Sequence, residues 1–321
     1  MTPPAQALRE DRPALDTTKF RDPLRTADGQ ARAHVGLRAL ETLWFNTGTL
    51  CNLACGNCYI ESSPTNDRLN YLTAEEVGGY LDEIARDGLP VRTVGLTGGE
   101  PFMNPEIADI LERILGAGHE ALVLTNAMRP MMRHADALLA LRERFGARLT
   151  LRVSIDHYAE ALHALERGPR AWAPMLEGLK FLSDNGFAVS AAGRTVWRES
   201  EAGLRAGYAR LFGREGIGID AADPAALVLF PEMDAALDVP EITEACWDIL
   251  GVDPGAMMCA ASRMVVKRRG DDRPVVMPCT LLPYEEDFIL GRSLAEAAGP
   301  VPLNHPHCAR FCVLGGGSCS G

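Results

Sequence analysis

Residues Cys51-Asn52-Leu53-Ala54-Cys55-Gly56-Asn57-Cys58-Tyr59 place three cysteines on one short stretch of chain. The apolar run Leu43-Trp44-Phe45 before it reads as a buried strand, and Glu61 to Tyr71 after it is polar loop. Three thiolates in C-x3-C-x2-C spacing can meet one corner of a small inorganic group. Cysteine thiolate is the usual protein ligand of iron–sulfur clusters, and a cubane takes four. Three leave one iron open to a ligand that is not protein. Zinc is an alternative, since structural zinc sites close with four Cys or His ligands. No fourth ligand follows within the next turn of chain, and the first histidine after Cys58 is His119. Inert buried thiols are the plainest reading, and three on one loop fit it poorly.

A second signal follows the next strand-like run, Val91 to Leu96. Leu96-Thr97-Gly98-Gly99-Glu100-Pro101 leads into a helix opened by Asn104-Pro105. Paired glycines let a ligand approach the backbone closely, and Glu100 offers a carboxylate to a cationic amine. Alone, this is an ordinary strand-to-helix turn.

Together, C-x3-C-x2-C after the first strand and Gly-Gly-Glu-Pro after the second resemble the radical S-adenosylmethionine (radical SAM) superfamily over roughly residues 40 to 230. The resemblance implies a [4Fe-4S] cluster on Cys51, Cys55 and Cys58, with SAM chelating the open iron. Gly98, Gly99, Glu100 and Pro101 would bind SAM, Glu100 holding its amino group. Reductive cleavage would give a 5′-deoxyadenosyl radical that takes a substrate hydrogen, with electrons from a reductant such as flavodoxin or ferredoxin. The position before Cys58, often aromatic in this superfamily, is Asn57 here.

The remaining chain repeats a strand–helix rhythm. Strands are expected at Leu122 to Leu124, Leu149 to Ile155, Phe187 to Gly193 and Leu227 to Phe230. Helices are expected from Thr73, with Gly88 past its end (Thr73-x-x-Glu76 is a capping box), after Asn104, over Met131 to Phe145, over Trp172 to Leu182, and up to Phe212. Such alternation predicts an α/β fold of parallel strands joined by right-handed crossovers. Six units match the partial (β/α)6 barrel of the resembled superfamily, with reactive groups at the carboxyl ends of the strands. By resemblance, Thr125, Asn126, Ser154, Asp156 and Arg194 join the SAM site. Asp156, His157 and Tyr158 are candidate catalytic groups, and Glu232 and Asp234 are weaker ones. For all of these, a capping or loop-ordering role is the alternative.

From about residue 240 the rhythm stops and cysteines return at 246, 259, 279, 308, 312 and 319. Cys246 falls in a short helix, Ile242 to Leu250, and reads as a core thiol. Cys259 and Cys279 bracket a hairpin around Gly270. The tail resembles the twitch or SPASM auxiliary-cluster extensions of radical SAM enzymes: cysteine, hairpin, cysteine, Leu290-Gly291, then clustered cysteines. Cys308-x3-Cys312-x6-Cys319 departs from the usual spacing, and five cysteines cannot ligate two cubanes. One auxiliary [4Fe-4S] cluster is expected, on Cys259, Cys279, Cys308 and Cys312, with Cys319 replacing one of them or free. Zinc or plain thiols are the alternatives. His305 and His307 could be ligands, but histidines in a Pro-flanked loop are usually only exposed.

The expected domains are an extended or partly disordered lead-in, 1–35, the barrel, 36–235, and the auxiliary-cluster domain, 236–321. The lead-in is too short for the winged-helix peptide-recognition domain of some peptide-modifying radical SAM enzymes. The net charge of −11 argues against general nucleic-acid binding, which needs a basic surface. No apolar run approaches membrane-spanning length and Met1-Thr2-Pro3-Pro4 opens no signal-peptide core, so a cytoplasmic protein is expected. The reading is an oxidoreductase acting on a peptide or protein side chain. A dehydrogenase of a small metabolite is the second reading, and a non-catalytic iron–sulfur or zinc protein the third.

Overall fold

The computed structural model describes residues 13–231 and 233–318. Six strands run parallel in chain order: β2 (Thr42–Asn46), β3 (Thr93–Thr97), β4 (Glu120–Thr125), β5 (Leu149–Asp156), β6 (Ala188–Arg194) and β7 (Leu227–Phe230). Each has one neighbour on either side except at the ends, and the sheet does not close on itself. The expected α/β partial barrel is therefore the observed one. All five residues of β2 are buried, as a strand covered on both faces and paired on both edges requires.

Helices cover the outside of the sheet. Ala74–Asp87 starts at the expected capping box, with Thr73 Oγ1 accepting from the Glu76 amide and Glu76 accepting from Thr73. It ends at Gly88 in the left-handed conformation. Its apolar face, Val77, Leu81 and Ile84, packs with Ile107, Ile110, Leu111 and Ile114 of the helix Ile107–Gly116 in the main core. The helix expected over Met131 to Phe145 is two pieces, Arg129–Met132 and Ala135–Phe145, broken at Arg133-His134, where the His134 amide turns back to Met131 O. A helix that periodicity did not mark, Glu160–Arg167, follows β5 directly.

The tail does not stand apart from this sheet. The expected hairpin forms, β8 (Ser262–Val266) and β9 (Val275–Met277), and β8 adds itself parallel to the free edge of β2. Ile289-Leu290-Gly291 then packs along β9 through the Val276 and Leu290 amides. Residues 13–35 run mostly without regular structure, yet they are fastened to the tail side. Lys19 pairs with Asp238, and the fully buried Arg32 pairs with Glu241 at 2.5 Å. β1 (His34–Val35) pairs with β10 (Val301–Pro302). No helix among the described residues is long and apolar enough to cross a membrane.

Candidate active site

The carboxyl ends of β3 to β7 and the cysteine loop enclose one cavity, closed on a further side by the tail. Cys51, Cys55 and Cys58 line it together with Gly98, Gly99, Glu100, Thr125, Asn126, Ser154, Asp156 and Arg194. Every expected SAM-site residue except Pro101 is thus on its wall. Pro101 instead opens the short helical turn Pro101–Met103 that carries the chain away.

The two glycines serve the protein before any ligand. A Cβ on Gly99 would lie 2.2 Å from Leu50 O, and one on Gly98, at φ +143°, 2.5 Å from Gly48 O. These are contacts no side chain can make, so the glycines let the two loops lie against each other. The Gly99 and Glu100 amides bond to Gly48 O and Leu50 O, which fixes Glu100 against the cysteine loop.

Glu100 is 2% exposed. Its carboxylate accepts from Thr125 Oγ1 at 2.8 Å, from the Asn126 amide at 2.8 Å and from the Phe102 amide at 3.3 Å. Thr125 and Asn126 therefore line the cavity chiefly by holding Glu100. Burial pushes the carboxyl up to about 7, against the pull of these donors. A buried carboxylate held by neutral donors suits an ammonium ligand, whose charge would bring it back to the anion.

On the other wall, β5 ends in a bulge between Ser154 and Asp156, and Asp156 takes φ +60°, a left-handed conformation that Asp tolerates. Asp156 is committed to Arg167, at 2.7 Å and 3.4 Å. Burial pushes its carboxyl up, but the Arg167 and Arg194 guanidiniums outweigh that and hold it below the usual carboxylate range. Arg194 gives one nitrogen to Asn57 O of the cysteine loop, at 3.3 Å. Its Nε and Nη2 are buried with no partner. Unpartnered guanidinium donors on a cavity wall suit an anionic group such as a carboxylate.

The Cys51 thiol is pushed up to about 12 by burial, and burial also raises Cys55, with Arg167 opposing. Backbone amides already point at two of the sulfurs, Leu53 N at Cys51 Sγ (3.4 Å) and Ser62 N at Cys58 Sγ (3.3 Å). Among the described residues no three Cys, His, Asp or Glu side chains gather as ligands of a single ion do. All three thiols line the one cavity, where each could ligate a separate iron of a cluster.

His157 and Tyr158, the candidate catalytic groups beside Asp156, do not line the cavity. The bulge turns the chain after Asp156, and both residues close on Glu199 (2.8 Å each), beyond the strand ends. His157 Nδ1 accepts from the Ala159 amide, which leaves Nε2 to donate to Glu199. Asp234 turns its carboxylate to the Ala236 amide, off the cavity wall. Glu232 lies outside the described residues, as does Cys319. Sequence reasoning missed Arg167, whose only signal is its place at the end of a helix directly after β5. It also missed Leu281 and Phe311, the tail's contribution to the cavity.

A second, apolar pocket gathers Cys259, Cys279, Cys308 and Cys312. Cys308 and Cys312 lie on the π-helical turn Cys308–Val313. Burial pushes Cys259 up to about 11 and Cys308 up to about 12. Cys246 is elsewhere, half-buried against Thr243. His307, expected on the surface, is buried and lines this pocket, and His305 is half-buried beside it. Burial lowers the two rings to about 4 and about 3 respectively, so both are neutral near pH 7.

The profile of the radical SAM superfamily matches residues 45–202, which hold the cysteine loop and the Glu100 turn. Residues 45–202 of the chain belong to the radical SAM superfamily. The superfamily implies an enzyme that binds SAM and a [4Fe-4S] cluster, and the donors described above fit both. Among curated relatives, the antilisterial bacteriocin subtilosin biosynthesis protein AlbA of Bacillus subtilis (strain 168) is 32% identical over 143 residues, 44% of this chain and 30% of that protein. The GTP 3′,8-cyclase of Tolumonas auensis is 30% identical over 139 residues, 43% of this chain and 39% of that protein. The chain thus aligns with only about a third of the length of these relatives. Among solved structures, anSMEcpe with bound AdoMet superposes with a TM-score of 0.57 at 13% identity, over 82% of this chain and 81% of that one. Streptococcus suis SuiB bound to S-adenosylmethionine superposes with a TM-score of 0.56 at 13% identity, over 77% and 62%. At such identities the likeness is one of fold.

Proposed function

We propose that this radical SAM enzyme modifies a peptide or protein side chain, with an auxiliary [4Fe-4S] cluster beside the substrate. Cys51, Cys55 and Cys58 hold the first cluster, Glu100 takes the SAM amino group, and Arg194 takes an anionic group of SAM. When bound, cluster and SAM supply a 5′-deoxyadenosyl radical that removes a substrate hydrogen atom. Thr125 and the Asn126 amide keep the Glu100 carboxylate aimed, and the Asp156–Arg167 pair stiffens the wall opposite.

The observation that carries the reading is that the tail's cysteine pocket adjoins the same cavity. Leu281, two residues beyond Cys279, lines both spaces, and Phe311 sits between Cys308 and Cys312 while facing the cavity. Phe311 also stacks on Phe230 at the end of β7, with ring centroids 5.8 Å apart. A group held by Cys259, Cys279, Cys308 and Cys312 would therefore stand next to the substrate and could accept the electron left by hydrogen abstraction. AlbA, named for bacteriocin biosynthesis, supports a peptide substrate. The GTP 3′,8-cyclase relative supports a small-molecule substrate as the second reading.

The test is deuterium transfer. Reconstituted enzyme, dithionite and SAM are supplied with a deuterated peptide encoded beside the gene, or with deuterated GTP. Deuterium in 5′-deoxyadenosine from the peptide supports the proposal. Transfer from GTP alone favours the second reading.

A further inference from the structure

Two arginines of this protein rank among its largest fully buried side chains, and their surroundings differ. Arg32 pairs with the Glu241 carboxylate. Arg263, on β8, donates only to carbonyls: Cys259 O at 2.6 Å, Ser262 O at 2.8 Å, Ala297 O at 2.8 Å and Gly299 O at 3.1 Å. These bonds engage all three guanidinium nitrogens and leave its charge without an anion. A buried charge with no counter-charge is costly, and proteins seldom keep one. Its Nη1 lies on the backbone of Cys259, and the thiols that bear on it, those of Cys259 and Cys279, become anionic only as cluster-bound thiolates.

We propose that Arg263 is the fixed counter-charge of the thiolate-bound group in the tail pocket and raises its reduction potential. The inference rests on the auxiliary-cluster reading above. Four thiolates around a cubane give it net negative charge, and each added electron deepens that charge. A cation held nearby in a low-dielectric interior therefore favours the reduced state. Its four carbonyl bonds root the charge between residues 259–262 and 297–299, so it cannot swing away on reduction. Arg263 is a positioning residue and touches no substrate.

The test uses full-length protein in which Cys51, Cys55 and Cys58 are all alanine, so that any cluster left is the auxiliary one. Iron is counted, and the reduced fraction is read by electron paramagnetic resonance at a fixed dithionite-poised potential. Arg263→Gln should lower the reduced-to-oxidised ratio about tenfold, equivalent to 59 mV for a one-electron couple. Arg263→Lys, which keeps the charge, should stay near the parent ratio. If Arg263→Gln loses its cluster, Arg263→Lys decides: a retained cluster at the parent ratio supports the proposal, and a lost cluster or a tenfold shift overturns it. Equal ratios in the parent and Arg263→Gln, with iron retained in both, overturn this inference and leave the auxiliary-cluster reading standing. No iron in the parent overturns the auxiliary-cluster reading itself.

Discussion

The two cysteine sets of this protein are built in opposite ways. Cys51, Cys55 and Cys58 come from one loop, lie on a cavity wall rich in polar groups, and are held by backbone amides and a neighbouring arginine. Cys259, Cys279, Cys308 and Cys312 come from three places in the tail and meet in an apolar pocket. The first arrangement leaves room for a ligand that is not protein, and suits chemistry. The second encloses what it holds, and suits a group that stores or passes charge. The difference lies in the surroundings, since the ligand atom is the same.

The sharpest way to break the comparison is to remove one thiol from each side. Cys55→Ala should abolish 5′-deoxyadenosine formation, measured by chromatography after dithionite and SAM. Cys312→Ala should lower iron by about half, if two cubanes share the total, yet leave some uncoupled SAM cleavage. Equal losses of SAM cleavage in the two variants would erase the distinction drawn here.

Next in size is the buried ion pair that only the first site has. Arg167→Met leaves Asp156 buried beside the cavity without its bidentate partner. Breaking such a pair costs about 3–5 kcal/mol, read as a drop in the midpoint of denaturant unfolding. Arg194, whose guanidinium also holds Asp156 down, offsets part of this.

The smallest effect concerns Glu100. Its folded-state carboxyl sits near 7, above its ordinary range, because of burial. A carboxyl raised on folding binds its proton more tightly in the folded state, so stability without SAM should fall as pH rises from about 4.5 to 7. The total is about 3 kcal/mol, at 1.36 kcal/mol per unit. Glu100→Gln should flatten that slope, and the slope, rather than absolute stability, is the readout. In the native chain SAM should bind more weakly below pH 7, where its ammonium meets a neutral acid. A wild-type slope unchanged by the substitution would mean that Glu100 is not the titrating group.

How far the sequence spoke for each region follows from the same contrast. The first site is local: its loop, its Gly-Gly-Glu turn and its strand ends all lie within patterns of a few residues, and the α/β rhythm places them together. Even there, Arg167 was invisible, because its role depends on a helix end returning to the cavity. The glycines were legible as a close approach, although what approaches is Gly48 and Leu50 of the chain itself. The second site depends on long-range pairing. Cysteine counting could nominate its residues, but nothing local shows that β8 joins β2. Nor does anything local show that His307 is buried, or that Arg263 lacks a carboxylate. The expectation that histidines beside a proline sit on an exposed loop fails there for a plain reason. His305 and His307 flank Pro306, yet the chain folds them inward against Phe288 and Cys308.

The most direct test of the account is an iron and sulfide count on anaerobically reconstituted wild-type protein, joined to a 5′-deoxyadenosine assay on the same sample. About eight irons per chain, two cubanes, with reductant-dependent 5′-deoxyadenosine is the result expected of a radical SAM enzyme carrying an auxiliary cluster. About four irons with turnover would contradict the claim that the tail pocket holds a second cluster. A full complement of iron without SAM cleavage would contradict the claim that the first site is an active one.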